Sequence, residues 1–400
     1  MAQSASAIRI VVATPGISGY PQGGGVWSWA LQYVQGLRAL GHRVLWLDRF
    51  RPSKRPLFDQ RALAVSEGRV QALGLAGQWA LLYGPAAHSP DDLDRCTVYA
   101  LSKKALLAEV RNADLLWNLA AALEAPLLSH FRRSVLIDGD PGQLQVSALA
   151  WHLKLEHHDV LFTAGTKVND ADCNIPRLGL VWHSFLPPIY MPQWGPDTVA
   201  SGTLPISSVT QWNWPHQFWL NDRVYSDSKR DAYLQYLRLP QLCKYPFTLA
   251  VNIRPDDRTG DRELLASTGW TLVHPHRVAR TPALYATFIR HSLCEFGCAK
   301  PIYVDLKTGW FSERSASYLA CGRPVLAENT GFSDHIEAGR GLLSFSTLEE
   351  AVSCVDTILT RYSYHQRVCR DIAHSYFSSD IVLPRMIDLS FSRQTAPKGS

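Results

Sequence analysis

The sequence predicts an α/β protein built from two Rossmann-like, doubly wound parallel-sheet domains in tandem, facing each other across a central cleft. Three observations carry this expectation. The chain has 400 residues, more than one hydrophobic core usually supports. Strand-like and helix-like segments alternate from Ile8 onward, as βα units require. Midway, between Ile175 and Gly202, Pro176, Pro187, Pro188, Pro192 and Pro196 interrupt the alternation, the punctuation expected of a connection. The expected division is therefore 1–200 and 201–377.

The first fifty residues hold the clearest unit. Ile8–Ala13 reads as a buried strand, and Pro15–Gly25 as a glycine-rich loop. Val26, Ala30, Tyr33, Val34, Leu37 and Leu40 then recur at helical spacing, with Gly41 as the stop. His42–Asp48 is a second strand, ending in a carboxylate. Strand, loop, helix, strand is a βαβ unit with a right-handed crossover over a parallel sheet. Further strands are expected at Asp114–Asn118, Val135–Asp138 and Val160–Thr163. In the second half the expected strands are Ser207–Gln211, Phe247–Asn252, Thr271–His274, Pro301–Asp305 and Pro324–Ala327. Helices are expected at Ser228–Leu237, Asp261–Ser267, Pro282–Ser292, Ser312–Ala320, Thr347–Thr360 and Ser363–Phe377.

Composition narrows the class. At 46% hydrophobic and 19% charged the chain can bury a core and is not mainly disordered. The net charge of +5 is spread without a run of five like charges, which disfavours nucleic acid as a partner. The eight cysteines are scattered without a CxxC spacing, so reduced, mostly buried thiols are expected. No basic and apolar leader precedes the first strand, and the longest apolar stretch, Leu115–Leu128, is broken by Asn118 and Glu124. A cytoplasmic protein with no membrane span is expected. The sequence leaves the oligomeric state open.

Four motifs could carry chemistry. Gly23, Gly24 and Gly25 lie between strand and helix, where glycine lets a backbone approach an anion and the helix start offers free N–H groups. The dinucleotide fingerprint fits poorly, since position 28 is serine, and no P-loop Gly-Lys-Ser/Thr follows. Asp138-Gly139-Asp140-Pro141-Gly142 ends a predicted strand, where open α/β sheets place ligands; its carboxylates are either a general base or turn formers. Metal binding is not expected from this lone DxD. His157-His158-Asp159 reads mainly as turn chemistry. Trp212-Asn213-Trp214-Pro215-His216 and Phe218-Trp219 stack on a base or sugar, or pack between domains.

The richest segment runs from Thr308 to Phe332. It holds a loop, a helix with Ser312 as N-cap, a stop at Gly322, a short strand and the Thr330-Gly331 turn. A helix N-terminus, Arg314 and that turn together can hold a diphosphate, or they form an ordinary αβ unit with Glu313 and Arg314 solvated.

Tyr318-Leu319-Ala320-Cys321-Gly322-Arg323-Pro324-Val325 resembles the Glu-Ala-xxx-Ala-xxx-Gly-xxx-Pro-Val signature of the group 1 glycosyltransferases, and the Gly23–Gly25 loop is similar to their start. The resemblance extends over nearly the whole chain. It implies the GT-B fold, a second domain that binds a nucleotide-sugar, a first domain that faces the acceptor, and a closing helix, 378–390, that crosses back to the first domain. The family's paired glutamates are replaced by Ser317 and Gly309, with Glu313 one helical turn away, and Arg314 resembles the spore-maturation-type branch. The resemblance implies a metal-independent hexosyltransferase-like enzyme without a cofactor, taking a nucleoside-diphosphate sugar as co-substrate and an unidentified acceptor. Its implied donor contacts are Ser312, Glu313, Arg314, Ser317, Thr330, Gly331 and Phe332, with Trp212, His276 and Arg277 as further contacts to the donor. Asp140 or Asp138 is the implied base. A sugar-nucleotide epimerase of the same fold, a non-catalytic binding protein derived from it, and a modifier of nucleobases in DNA are the alternatives.

Overall fold

The computed structural model describes residues 7–195, 203–213, 216–254 and 256–392. Residues 196–202 of the expected connection, and Trp214 and Pro215, lie outside them. The first sheet contains β1 (Arg9–Thr14), β2 (Arg43–Phe50), β3 (Trp79–Tyr83), β4 (Thr97–Tyr99), β5 (Leu115–Leu119), β6 (Ser134–Asp138), β7 (Val160–Thr163) and β8 (Trp182–Ser184). Its order is β4-β3-β2-β1-β5-β6-β7-β8, parallel except for the antiparallel β3–β4 edge. The second sheet is parallel throughout. It contains β9 (Ile206–Thr210), β12 (Phe247–Val251), β13 (Trp270–Val273), β14 (Glu295–Gly297), β15 (Val325–Glu328) and β16 (Leu342–Phe345) in the order β13-β12-β9-β14-β15-β16. Between β9 and β12 the chain makes a separate hairpin, β10 (Gln217–Leu220) and β11 (Arg223–Ser226).

Period-two alternation explains why β1 is apolar at every central position. Ile10 and Val12 join one buried cluster with Trp27, Leu31 and Val34 of the first helix. Val11 and Ala13 point the other way, into a cluster with Leu106 and Val110. A strand covered by helices on both faces has no polar side to offer. Helix Gly24–Ala39 returns the chain to β2, and Gly41, at φ +87°, adopts the left-handed conformation that ends a helix.

Pro301–Asp305, expected as a strand, is a short helix. The strand beside β15 is Glu295–Gly297, paired in parallel with Val325–Ala327. Proline sits at the first turn of a helix without loss because its missing N–H has no partner there, and that preference prevails over the β-branched residues that follow.

The closing helix, Ser379–Phe391, packs on the first lobe: Val382, Leu383 and Met386 join the cluster of Trp27 and Leu37. Its route is pinned where Ser379 N–H donates to Ile189 O at 2.8 Å. All eight cysteines are free, and no helix among the described residues is long and apolar enough to cross a membrane.

Both sheets reverse their strand order at one place, β1/β5 in the first and β9/β14 in the second. Loops leaving adjacent strands in opposite directions open a crevice at such a point. The two crevices face each other here.

Candidate functional site

Between the lobes lies a cleft of ≈ 550 Å³, lined from the first lobe by Pro15, Ala120 and Asp140 and from the second by Thr210, Lys300 and Ser312, among others. Pro15, Ala120, Thr210 and Lys300 follow or end β1, β5, β9 and β14, the strands at the reversal points, whereas Asp140 follows β6 and Ser312 caps a helix. The second-lobe wall carries the cations. Helix Glu313–Ala320 starts at the cleft, and its N-cap Ser312 Oγ accepts from Arg314 N–H at 3.2 Å.

Arg314 points inward. Its Nε is ion-paired to Glu295, which is fully buried in β14, and its Nη1 donates to Val209 O at 2.9 Å. Burial would lower the guanidinium pKa, but the Glu295 carboxylate outweighs it and raises it. Arg314 is therefore a charged, fixed group whose net charge is largely cancelled.

Lys229 supplies charge that is not cancelled in this way. Its Nζ donates to Cys298 O and lies 5.3 Å from the centre of the Trp310 ring. Desolvation, reinforced by Arg314, brings its pKa down to about 7. Lys300 completes the cationic wall and reaches across the cleft, donating to Asp140 Oδ1 and Gln143 Oε1, both at 2.7 Å. Glu313 lines the same wall, and burial raises its carboxyl pKa.

The two aspartates separate by position. Asp138 is buried beneath the loop and does not line the cleft. Its Oδ1 accepts from Asp140 N–H at 2.9 Å, and its Oδ2 from Gln145 Nε2 at 2.9 Å and Thr163 Oγ1 at 2.8 Å. These bonds fix the turn, and burial pushes its pKa up to about 6. Asp140 faces the cleft with a half-exposed side chain, held by Lys300 and by the Tyr303 hydroxyl. Burial alone would raise its carboxyl, but these partners hold it below the usual range, so it is ionised. Asp138→Ala is expected to lower stability by about 1–3 kcal/mol per donor stranded and to leave ligand binding in the cleft intact; Asp140→Asn should do the reverse. Thermal melts alongside calorimetry separate them, and a cleft left inert by Asp138→Ala would contradict this division.

In the glycine loop, the middle residue is taken up by a contact between the lobes. Gly24 N–H donates to Ala279 O of the second lobe at 2.8 Å. A Cβ at Gly24 would lie 2.3 Å from Thr281 O and 2.4 Å from Ala279 O. Gly24 is thus the close-approach point between lobes, Gly23 is the helix N-cap, and Gly25 lines the cleft. Asp48, inside β2 rather than at its end, is spent within the lobe, accepting from Thr14 Oγ1, Ile17 N–H and Ser18 N–H at 2.7–2.8 Å.

Other expected contacts lie off the cleft. Ser317 is buried, its Oγ donating to Glu313 O. Thr330 Oγ1 donates to Trp310 O, Gly331 abuts Lys167, and Phe332 packs on Phe311. These three shape the turn behind the site. Trp212 is buried with its Nε1 on Asp261 at 2.9 Å. His276 and Arg277 are exposed in a short helix and line none of the cleft. His158 is a core residue, bonded to Leu155 O and Asn118, with its pKa brought down to about 4 by burial. Among the described residues no three His, Cys, Asp or Glu side chains converge as a metal site.

Lys229, Lys300, Tyr303 and Glu295 escaped the sequence reading. Lys229 carried a usable signal, because a lysine in the first turn of a helix opposes the helix dipole and such a placement asks for another reason. Lys300 follows β14 by three residues, and it was hidden once the strand was placed at 301–305.

The chain matches no protein-family model and no curated protein. Solved structures do resemble it. An α-glucosyltransferase in complex with UDP-glucose and DNA containing an abasic site aligns with a TM-score of 0.60 at 12% identity, covering 97% of this chain and 100% of that one. HepE of Anabaena, in complex with UDP and glucose, aligns with a TM-score of 0.58 at 9% identity, covering 96% and 100%. Sucrose-phosphate synthase of Thermosynechococcus elongatus aligns at 0.57 and 10% identity, covering 95% and 97%. This chain has two facing parallel-sheet lobes, and its likeness to these structures is one of fold: the chain has the GT-B fold.

Proposed function

We propose that this protein is a glycosyltransferase that moves a sugar from a nucleoside-diphosphate donor, held by the second lobe, to a hydroxyl acceptor facing the first. The observation that carries this reading is the grouping of Lys229, Lys300 and Arg314 around the start of helix Glu313–Ala320 at the cleft. Ammonium, guanidinium and helix N–H groups match a diphosphate in charge and geometry. The likeness to enzymes solved with UDP-glucose or UDP supports a uridine nucleotide as the first donor to test.

In the reaction, the bond between the sugar's anomeric carbon and the terminal phosphate oxygen breaks, and a bond to the acceptor oxygen forms. Negative charge gathers on the departing diphosphate, where Lys229 and the helix start are already oriented to receive it. The acceptor's proton passes to Asp140, the ionised carboxylate facing the cleft. Closure of the lobes keeps water from competing for the sugar.

The test is proton-linked calorimetry. With a pKa of about 7, Lys229 is mostly neutral at pH 8 in the free protein. A bound diphosphate favours the ammonium form and raises that pKa, so binding of UDP or UDP-glucose at pH 8 should take up a proton. At pH 6 the lysine is already charged, and uptake should vanish. Titrations in two buffers of different ionisation enthalpy measure the uptake, and Lys229→Met should abolish it. Failure of UDP and UDP-glucose to bind would overturn the uridine-donor reading.

A further inference from the structure

The two walls of the cleft differ in kind, and the difference points to the acceptor. Among the described residues, Asp140 is the only charged side chain that the first lobe contributes. The rest of that wall is apolar or aromatic and includes Ile17, Val26, Trp29, Tyr33 and Phe185. Four polar side chains near this wall are already spent, although the buried Ser18 and Ser28 hydroxyls have no partner among the described residues. Asp48, at β2, is saturated by Thr14, Ile17 and Ser18. Asn118, at β5, exchanges two hydrogen bonds with Leu123 and meets His158. Asp138, at β6, holds its own turn. Gln32, on the helix that carries Trp29 and Tyr33, accepts from Tyr190 N–H and Trp194 Nε1.

A saccharide acceptor needs its many hydroxyls paired once it is desolvated. A polyanion would need cations, and this wall presents one carboxylate. What the wall does offer is aromatic surface: Trp29 and Tyr33 pack edge to face, with ring centroids 6.2 Å apart. The Tyr33 ring is buried. On the donor reading given above, we infer that the acceptor is a planar aromatic compound bearing a phenolic hydroxyl, seated against Trp29 and Tyr33 with that hydroxyl at Asp140. Aromatic faces gain from such stacking beyond the area they bury.

Equilibrium binding to the full chain is the deciding measurement, since it needs no knowledge of the donor sugar. The probes are 2-naphthol, the disaccharide maltose and the aliphatic alcohol 1-octanol, titrated by calorimetry with and without UDP. 2-Naphthol should bind at least about tenfold more tightly than either of the others, the scale of one aromatic contact. Trp29→Ala should weaken 2-naphthol by about tenfold while UDP still binds, which also shows the variant is folded; Trp29→Phe should restore most of the loss. With UDP-glucose present, formation of the naphthyl glucoside but no maltose product would add direct support. Maltose or octanol binding as tightly as 2-naphthol overturns the aromatic assignment even if UDP binds, leaving the donor reading in place. Loss of UDP binding alone, with 2-naphthol still held at Trp29, overturns the donor reading and leaves an aromatic-ligand cleft.

Discussion

Replacing Arg314 by methionine should cost the fold more than it costs the charge balance of the cleft. Glu295 is fully buried in β14, and its Oε2 already has no hydrogen-bond partner. Removing Arg314 strands that carboxylate and frees Val209 O from its donor. Breaking a buried ion pair from one side costs about 3–5 kcal/mol, a large part of the roughly 5–15 kcal/mol that holds a typical protein folded. Arg314→Met alone therefore confounds a binding defect with unfolding. Adding Glu295→Leu removes the stranded charge, and an apolar pair of similar volume is often as stable as the ion pair it replaces. The double variant should recover most of the denaturation midpoint without recovering affinity for UDP. Urea unfolding and UDP calorimetry on both variants decide it. An Arg314→Met protein as stable as the parent would show that Glu295 does not depend on this guanidinium.

The same pair shows where sequence reasoning stops. Arg314 could be singled out because a cation near a helix start beside a strand-end turn suggests anion binding, and the structure does bring it to the cleft. Glu295 could not, because nothing local distinguishes a buried carboxylate in a three-residue strand from a solvated one. The architecture was legible because it rests on periodicity: continuous apolar runs for β1, β5 and β6, a helical stripe from Val26 to Leu37, and glycine stops at Gly41 and Gly322. The error at Pro301–Asp305 was also local, since Pro-Ile-Tyr-Val reads as a strand by side-chain type and as a helix start by its proline. It shifted the apparent end of the strand and hid Lys300. Asp138 and Asp140 illustrate a further limit. Two residues apart in one turn, they differ only in which one the fold covers, and that depends on Gln145 and Thr163.

Gly24 gives the second large effect, and it separates folding from function. Gly24 lies in the first turn of its helix with no positive φ, so alanine suits the local backbone and even favours it by about 1 kcal/mol. The obstacle lies across the lobes. The added Cβ would meet Thr281 O at 2.3 Å and Ala279 O at 2.4 Å, both backbone atoms that no rotamer change can move. Relief to ordinary contact distance needs the seam to open by about 1 Å, and a misplacement of that size can cost about 100-fold in turnover. The Gly24 N–H to Ala279 O bond is strained or lost with it. Gly24→Ala should thus melt close to the parent while scattering shows a larger radius of gyration and donor turnover falls by about two orders of magnitude. Gly68→Ala is the matched control. It also sits in a helix, Pro56–Ala72, but a Cβ there meets nothing within 4 Å, so it should gain about 1 kcal/mol with the lobes undisturbed. If both alanines behave alike, the loop that reads as a phosphate cradle is not what holds the two lobes in register.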